Sequence, residues 1–340
     1  MGLTVWAFIL VASLWVLVKS ADYFTEYAER FGKLLRLPSF IVGVLIVAVG
    51  TSLPEFATSV FGVVKGETDF LSANVLGTVV ANILLGLGVV VLLTRKKVTF
   101  DWDIISNDLP FFAASIFMIV VALWDGVFNF WEALLFIAGY VVYIFYAYFI
   151  QRHEKKKTKE KMKKQLDKEI REEVKESKEK EEKKGFWPSH FSPKFRILFF
   201  LFISLVIVAA SSYYVVEAVV NLAVILNLGS SVIAATAVAL GTSLPEIIVA
   251  LAAIKRGNFD MVIGDILGSN IFDILMIFGV TGLFTTLTIT MNMFIILSSF
   301  LVGSFVLLWL ILLDKIITKT EALLFVIIYI MFVGKLFNVF

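Results

Sequence analysis

The chain has 340 residues, 59% of them hydrophobic, with a mean hydropathy of +0.92. Soluble domains are closer to half apolar, so the composition reads as a polytopic membrane protein. There is no cysteine, which excludes disulfides, thiolate metal sites and cysteine nucleophiles. The net charge of +2 conceals an asymmetry: residues 151–194 carry 16 Lys/Arg and 10 Asp/Glu, the rest 14 and 18.

Ten apolar segments follow in chain order. The first, 3–20, lacks a basic flank before it and a small-residue cleavage site after it, so it reads as a true span. It can continue as an amphipathic helix over Phe24–Leu37. The second, 39–64, contains Gly50-Thr51-Ser52-Leu53-Pro54-Glu55, and the next three cover 70–93, 104–124 and 130–150. Segment 151–194 is Lys/Glu-rich, with i,i+4 pairs such as Glu160/Lys164 and Glu176/Lys180, and reads as a solvated, partly helical linker. Met162, Leu166, Ile170 and Val174 give it a weak apolar stripe. The remaining spans are 195–220 (extended over Glu217–Leu228), 230–254, 260–284, 292–313 and 321–338. Segment 230–254 contains Gly241-Thr242-Ser243-Leu244-Pro245-Glu246.

The two halves align at an offset of 191: Glu55 maps to Glu246, Gly77 to Gly268, Thr78 to Ser269, Asn82 to Asp273, Asp69 to Asp260 and Glu26 to Glu217. Such a fixed register marks an internal duplication. Five spans per repeat is odd, so the second copy enters the membrane upside down. The expected fold is an all-α polytopic membrane protein of ten transmembrane helices. It consists of a first five-helix repeat, 1–150 (motif region 39–93), a charged linker, 151–194, and a second repeat, 195–340 (motif region 230–284), with helices 2 and 7 broken. With the amino terminus outside, the inner connections hold Arg30, Lys33, Arg36, Arg95, Lys96, Lys97, Lys255, Arg256, Lys315 and Lys319, and the outer ones only Lys65 and Lys335. This orients the protein in the cell membrane with a cytoplasmic linker.

A carboxylate at membrane depth is costly and marks a functional site by default. Pro54 and Pro245 cannot donate to the carbonyls of Gly50 and Gly241, so each helix is expected to break or kink there. Thr51 and Glu55 share one helix face, as do Thr242 and Glu246. Asn74, Thr78 and Asn82 on one helix, and Asp265, Ser269 and Asp273 on another, supply partners at i,i+4 spacing. The inward set is almost purely oxygen: Glu55, Glu246, Asp273, Asn82, Thr51, Thr242, Ser52, Ser243, Thr78 and Ser269. Both histidines, His153 and His190, lie in the linker. Such a set selects hard cations such as Ca²⁺, which takes 6–8 oxygens at ~2.3–2.6 Å, over Zn²⁺ or Cu⁺. Asp265 fits either a cap at the amino terminus of its helix or an added charge near one mouth.

The paired GTSLPE motifs, with Asn-Val-Leu-Gly-Thr-Val-Val-Ala-Asn (74–82) and Gly-Asp-Ile-Leu-Gly-Ser-Asn-Ile-Phe-Asp (264–273), resemble the alpha repeats of the cation/calcium antiporter superfamily, its sodium/calcium exchanger branch most closely. The resemblance covers both repeats and leaves out only the linker. It implies a diamond of four cation positions at the midplane, with Glu55, Glu246 and the Thr51 and Thr242 carbonyls as Ca²⁺ ligands. Asn82 and Asp273 would flank them. The carbonyls of Ala48 and Ala239, with Ser52, Ser243, Thr78 and Ser269, would hold Na⁺. Thr78 stands where relatives have Ser, Ala73 where Gly is common, and Asp265 where Asn is common.

Charge counting sharpens the expectation. Glu55, Glu246 and Asp273 total three negative charges, which three Na⁺ neutralise; one Ca²⁺ leaves one over unless Asp273 is protonated. The reading is a Ca²⁺ antiporter driven by Na⁺, electrogenic at three to one, with Ca²⁺ and Na⁺ competing. Alternating access by sliding of the first and sixth helices is an implication of the resemblance. A Ca²⁺/H⁺ or K⁺-dependent antiporter of the same fold is the alternative, and a cation channel a further one. No HExxH, GxSxG or transmembrane His supports an enzyme. No cofactor, nucleic acid or protein partner is implied beyond the transported ions and the bilayer, and a monomer is expected.

Overall fold

The computed structural model describes residues 2–35, 37, 39–64, 66, 68–94, 98–99, 102–147, 193–225, 239–313 and 316–337. The linker expectation therefore lies outside the described residues, apart from Pro193 and Lys194. Nearly everything described is helix. The first block runs α1 (Leu3–Leu35), α2 (Ser39–Val42), a π-helical turn (Gly43–Val47), α3 (Ala48–Thr51), α4 (Leu53–Val64), α5 (Thr68–Ala81), a π turn (Asn82–Gly86), α6 (Leu87–Leu93), α7 (Trp102–Ala122) and α8 (Phe130–Ala147). The second runs α9 (Pro193–Ile225), α10 (Ala239–Lys255), α11 (Phe259–Phe272), a π turn (Asp273–Ile277), α12 (Phe278–Phe284), α13 (Met291–Leu312) and α14 (Lys319–Leu336).

Among the described residues, six helical stretches are long and apolar enough to cross a membrane. Two of them, Leu71–Leu93 and Phe259–Phe284, are 83% and 94% buried, whereas the other four are 17–33% buried. The α5–α6 and α11–α12 limbs therefore form the centre, and the remaining four turn most of their apolar surface to lipid. Phe8, Val11 and Trp15 on α1, and Phe202 and Val206 on α9, are among the exposed side chains.

At 33 residues each, α1 and α9 are about 50 Å long by helical rise, well beyond a hydrocarbon core of about 30 Å. Each is one continuous helix, the span running on into the amphipathic stretch as expected. On α1 the buried residues Ser13, Leu17, Ser20, Ala21, Phe24, Thr25, Ala28 and Gly32 recur at intervals of one, three and four, a single stripe facing inward. Most are small, so α9 and α10 pack closely against it. Tyr27 of α1 stacks on Phe200 of α9 with centroids 5.1 Å apart, which brings the end of one helix to the start of the other.

Two short strand pairs show how the halves relate. The strand Val98–Thr99 precedes α7 and Val127–Phe128 follows it. The 21 residues of α7 hold these strands about 31 Å apart. Val98–Thr99 pairs antiparallel with Ile316–Ile317, and Val127–Phe128 with Leu287–Thr288. Leu287–Thr288 precedes α13 as Val98–Thr99 precedes α7, yet it lies at the opposite end of α7. The repeats are therefore inverted.

The offset of 191 holds from Ala48/Ala239 through Leu93/Phe284 and then falls to 189, so that Val98 matches Leu287 and Phe130 matches Lys319. The slip lies in one connection, 94–97 in the first half against 285–286 in the second. Packing follows the same correspondence. A Cβ on Gly88 would meet Val326 Cγ2 at 2.9 Å, and one on Gly279 would meet Ile137 Cγ1 at 2.7 Å. Glycine at both positions lets the last helix of one half press onto the central limb of the other.

Helix breaking differs between the halves. The first motif is interrupted at Ser52, whose φ of −81° and ψ of 4° end α3 before α4 begins. In the second half α10 runs unbroken from Ala239 to Lys255 with Pro245 inside it. The break expected at Pro245 itself is thus absent: the proline removes one hydrogen bond, and the turns on either side hold the helix. Residues 226–238 lie outside the described set.

Candidate functional site

Both motifs converge at the centre. Glu55 and Glu246 are 2% and 3% exposed, and Thr51, Ser52, Thr78, Asn82, Thr242, Ser243, Ser269 and Asp273 are buried with them. Ala48 is buried at the start of α3, and Ala239 opens α10. Every sequence-expected site residue whose side chain is described thus lies in the core.

The contacts run across the halves. Ser52 Oγ donates to Glu246 Oε1 at 3.5 Å, and Thr51 Oγ1 lies 3.5 Å from Asp265 Oδ1. The hydroxyls of Thr78 and Thr242 are 3.4 Å apart. Asn82 Nδ2 donates to Asn270 Oδ1 at 3.3 Å. Glu55 faces the Thr242 hydroxyl, and Glu246 faces Thr51 as well as Ser52. Thr51 with Glu55 and Thr242 with Glu246 share helix faces by spacing, and across the halves each Thr hydroxyl also faces the Glu of the other repeat.

The carboxylates are electrostatic neighbours. Glu55 lies within the field of Glu246 and Asp273, and Asp265 within that of the same two. No three His, Asp or Glu among the described residues converge as a ready-made cage for one metal ion. The acids are instead spread among neutral oxygens. Asp273 faces the Ser52 hydroxyl, yet neither of its oxygens meets a donor at hydrogen-bond geometry among the described residues, and Glu246 Oε2 is likewise without one. Buried acceptors left in this way fit the oxygen shells of hard cations.

Asn82 and Asp273 each begin a π-helical turn, at matching positions. A π turn inserts one residue and rotates the face that follows it, a device frequent at functional sites. Polar spacing gave no sign of it. Asn270, partner of Asn82, matches Val79, so its amide has no counterpart in the first half.

One expectation is corrected. Asp265 does not cap its helix: Asn258 precedes Phe259 at the start of α11, and Asp265 lies in mid-helix at 1% exposure. The Ala48 carbonyl accepts Ser52 N–H at 3.0 Å and Thr51 Oγ1 at 3.2 Å.

Close helix approach is needed here. A Cβ on Gly268 would lie 2.8 Å from Val44 Cα and 3.0 Å from Ala48 Cβ, so only glycine lets α11 lie against the first motif helix. A small cavity lined by Asn82, Gly86, Glu246, Ile247, Ala250 and Ser269 lies beside the carboxylate on the Lys255 side of α10. The matching side in the other half is filled by aromatic side chains. Phe56, where the second half has Ile247, packs on Phe272 at 6.3 Å, and Phe272 meets the edge of Tyr140 at 5.6 Å.

Inverted halves that place paired carboxylates and a purely oxygen-bearing set at the centre of a helical membrane protein define a cation carrier of the inverted-repeat class. The comparisons with known proteins are specific. The model of the family described as sodium/calcium exchanger protein matches residues 5–149 and 196–337, and the chain belongs to that family. It is similar to the sodium/calcium exchanger MaX1 of Methanosarcina acetivorans, 31% identical over 359 residues, covering 99% of this chain and 100% of that one. The inner membrane protein YrbG of Escherichia coli is 26% identical over 277 residues, covering 82% and 79%. Among solved structures, the sodium-calcium exchanger NCX_Mj superposes with a TM-score of 0.74 over 97% of this chain and 98% of that one at 24% identity, a likeness of fold.

Proposed function

We propose that this chain is a secondary-active antiporter that exchanges Ca²⁺ for Na⁺ by alternating access, three Na⁺ for each Ca²⁺. The observation that carries the reading is the pairing of Glu55 and Glu246, one from each inverted half, buried among oxygen donors of the opposite half. Membership of the sodium/calcium exchanger family and the likeness to MaX1 support it.

In this reading Glu55 and Glu246, with the carbonyls of Thr51 and Thr242, hold Ca²⁺. Asn82 and Asp273 flank them. Ser52, Ser243, Thr78 and Ser269, with the carbonyls of Ala48 and Ala239, hold Na⁺. The Ala48 carbonyl already accepts a hydroxyl, so Na⁺ binding there displaces Thr51 Oγ1. The carboxylates serve one set of ions at a time, which makes Ca²⁺ and Na⁺ competitors. Glu55, Glu246 and Asp273 supply three charges for three Na⁺. One Ca²⁺ with one protonated acid is the matching load, so each cycle moves one net charge.

The amino terminus lies outside and segment 151–194 in the cytoplasm of a plasma-membrane protein. The cavity on the Lys255 side then faces the cytoplasm, and the Phe56–Phe272–Tyr140 cluster closes the outer side. Sliding of the long α1–α9 pair over the central limbs exchanges the two accesses.

Uptake of ⁴⁵Ca²⁺ into proteoliposomes under separately imposed Na⁺, K⁺ and H⁺ gradients tests the reading. An outward Na⁺ gradient should drive uptake, and uptake should carry current. Normal uptake with both Glu55→Gln and Glu246→Gln would sink the site; electroneutral uptake would sink the stoichiometry.

A further inference from the structure

Asn82 is a carboxamide among carboxylates. One end of its side chain is a carbonyl oxygen that suits a cation, and the other is an NH₂ that suits an anion. Its counterpart Asp273 has oxygen at both ends and presents the same chemistry however it turns. Glu55, Glu246 and Asp273 act on one another, so the centre is negative. An unheld amide beside that charge turns its NH₂ inward, because an N–H bonded to a carboxylate is stronger than one bonded to a neutral oxygen. In that orientation it competes with any cation. The structure holds the amide the other way. Asn82 lines the small cavity together with Glu246 and Ser269. Its Nδ2 donates to Asn270 Oδ1 at 3.3 Å, and its Oδ1 is buried and meets no donor among the described residues.

Asn270 is fully buried on α11, one turn before Asp273. Its own Nδ2 meets no acceptor among the described residues. A second buried amide with an unused donor is costly, so its one bond needs a purpose. The repeat supplies one. Under the inverted correspondence the pair Asn82–Asn270 maps onto Asp273–Val79. Where the flanking residue is an acid, the partner position is apolar. Where it is an amide, the partner position carries a carbonyl that takes the NH₂.

We propose that Asn270 is a positioning residue: its side-chain carbonyl holds the NH₂ of Asn82 away from the carboxylates and turns Asn82 Oδ1 to the transported cation. This rests on the reading of the chain as a cation exchanger. Asn270 itself touches no ion. Without it the Asn82 oxygen faces the centre in only a fraction of the molecules, and apparent ion affinity falls by that fraction. An acid in place of Asn82 needs no such holding.

The test is a double-mutant cycle on the purified full chain, read as Ca²⁺ affinity and as Na⁺ competition with Ca²⁺. Asn270→Val, which copies Val79, should weaken binding of at least one of the two ions about tenfold. In the Asn82→Asp background, where both ends of the side chain are oxygen, Asn270→Val should add no further loss. An equal loss in both backgrounds overturns the proposal and leaves Asn270 a packing residue. Wild-type affinity for both ions in Asn270→Val overturns it too. Should Asn82→Asp fail to fold, Asn82→Ala takes its place: with no amide to orient, Asn270→Val must again add nothing, and an added loss overturns the proposal. A wild type that binds neither ion defeats the exchanger reading instead. NMR of the chain labelled with ¹⁵N-asparagine then still decides for or against Asn270. The hydrogen-bonded proton of the Asn82 NH₂, identified by its absence in Asn82→Ala, must move upfield in Asn270→Val, and an unmoved resonance overturns the positioning role.

Discussion

The two central limbs, α5–α6 and α11–α12, share one geometry and differ in charge. Both run through a π turn that begins at the residue flanking the carboxylate pair. Both are buried over most of their length. Yet the first carries amides at Asn74 and Asn82 where the second carries acids at Asp265 and Asp273. An inverted repeat makes a pore-like scaffold symmetric about the midplane. The substitutions concentrate the extra negative charge on one limb; in the proposed cycle the ion number and net charge follow from this departure from symmetry, while the fold follows from the symmetry itself.

Neutralising the symmetric pair should have the largest effect. Glu55→Gln and Glu246→Gln each leave one carboxylate for a divalent ion that prefers several. Ca²⁺ transport should fall by about a hundredfold or more in either variant, the loss of two to three kcal/mol of charge-assisted contact. Initial rates of ⁴⁵Ca²⁺ uptake measure this. A much smaller loss in one variant than in the other would show that the two halves do not share the ion.

Asp273→Asn makes the flanking positions of the two limbs identical. It removes one acid and leaves the Glu55–Glu246 pair intact. Transport should persist at a reduced rate with a different net charge per Ca²⁺, read as a shift in reversal potential on a supported membrane. An unchanged reversal potential would mean that Asp273 does not count toward the transported charge.

The sequence makes much of this comparison legible, and the rest escapes for identifiable reasons. The 191 register and the odd span count predict inversion, and the pairing of Leu287–Thr288 with Val127–Phe128 bears it out. The slip to 189 lies in the loop after Leu93/Phe284, beyond the motif positions from which the register is read. The π turns leave no trace because residues at i,i+4 spacing look the same before and after an inserted residue. Asp265 looks like a cap because Asp often starts helices; the actual start at Phe259 follows from the turn at Gly257, whose φ of +78° suits glycine. The cross-repeat Thr–Glu neighbours escape the sequence because helical spacing reports faces within a chain segment, whereas these neighbours lie between repeats far apart in sequence. A proline was expected to break or kink each motif helix, and α10 runs through Pro245 without a break.

Packing gives a smaller effect with a built-in control. Gly268→Ala places a methyl group 2.8 Å from the backbone at Val44, so a helix must shift, at a cost of about 1–3 kcal/mol. At Gly86 the nearest atom to an added Cβ is Ile247 Cγ1 at 3.6 Å, an ordinary contact. Gly86→Ala should therefore leave the melting temperature unchanged or raise it slightly through helix propensity. Gly86→Ile, which copies Ile277 of the other half, should fill the cavity and slow transport with little loss of stability. Equal melting temperatures for Gly268→Ala and Gly86→Ala would contradict the close approach of α11 to the first motif.

The smallest effect is expected at the end of α1. Arg256 donates to Glu26 Oε2 at 3.0 Å and to the Asp22 carbonyl at 3.1 Å, while Asn258 Nδ2 donates to Glu29 Oε1 at 3.0 Å. These contacts join the long outer helix to the turn between α10 and α11. Arg30 also pairs with Glu26, at 2.6 Å, so Glu26 keeps a cation when Arg256 is removed. The side chains of Arg256 and Glu26 are about a third exposed, and water screens the pair. Arg256→Gln should cost well under 1 kcal/mol, with the difference from wild type shrinking further at high salt. Transport is the more sensitive readout, because a contact this weak can still bias two accesses of nearly equal energy. If α1 slides during the cycle, Arg256→Gln should alter the ratio of uptake to efflux rates while the melting temperature stays within error. A ratio identical to wild type would show that this contact holds the helix end without favouring either access.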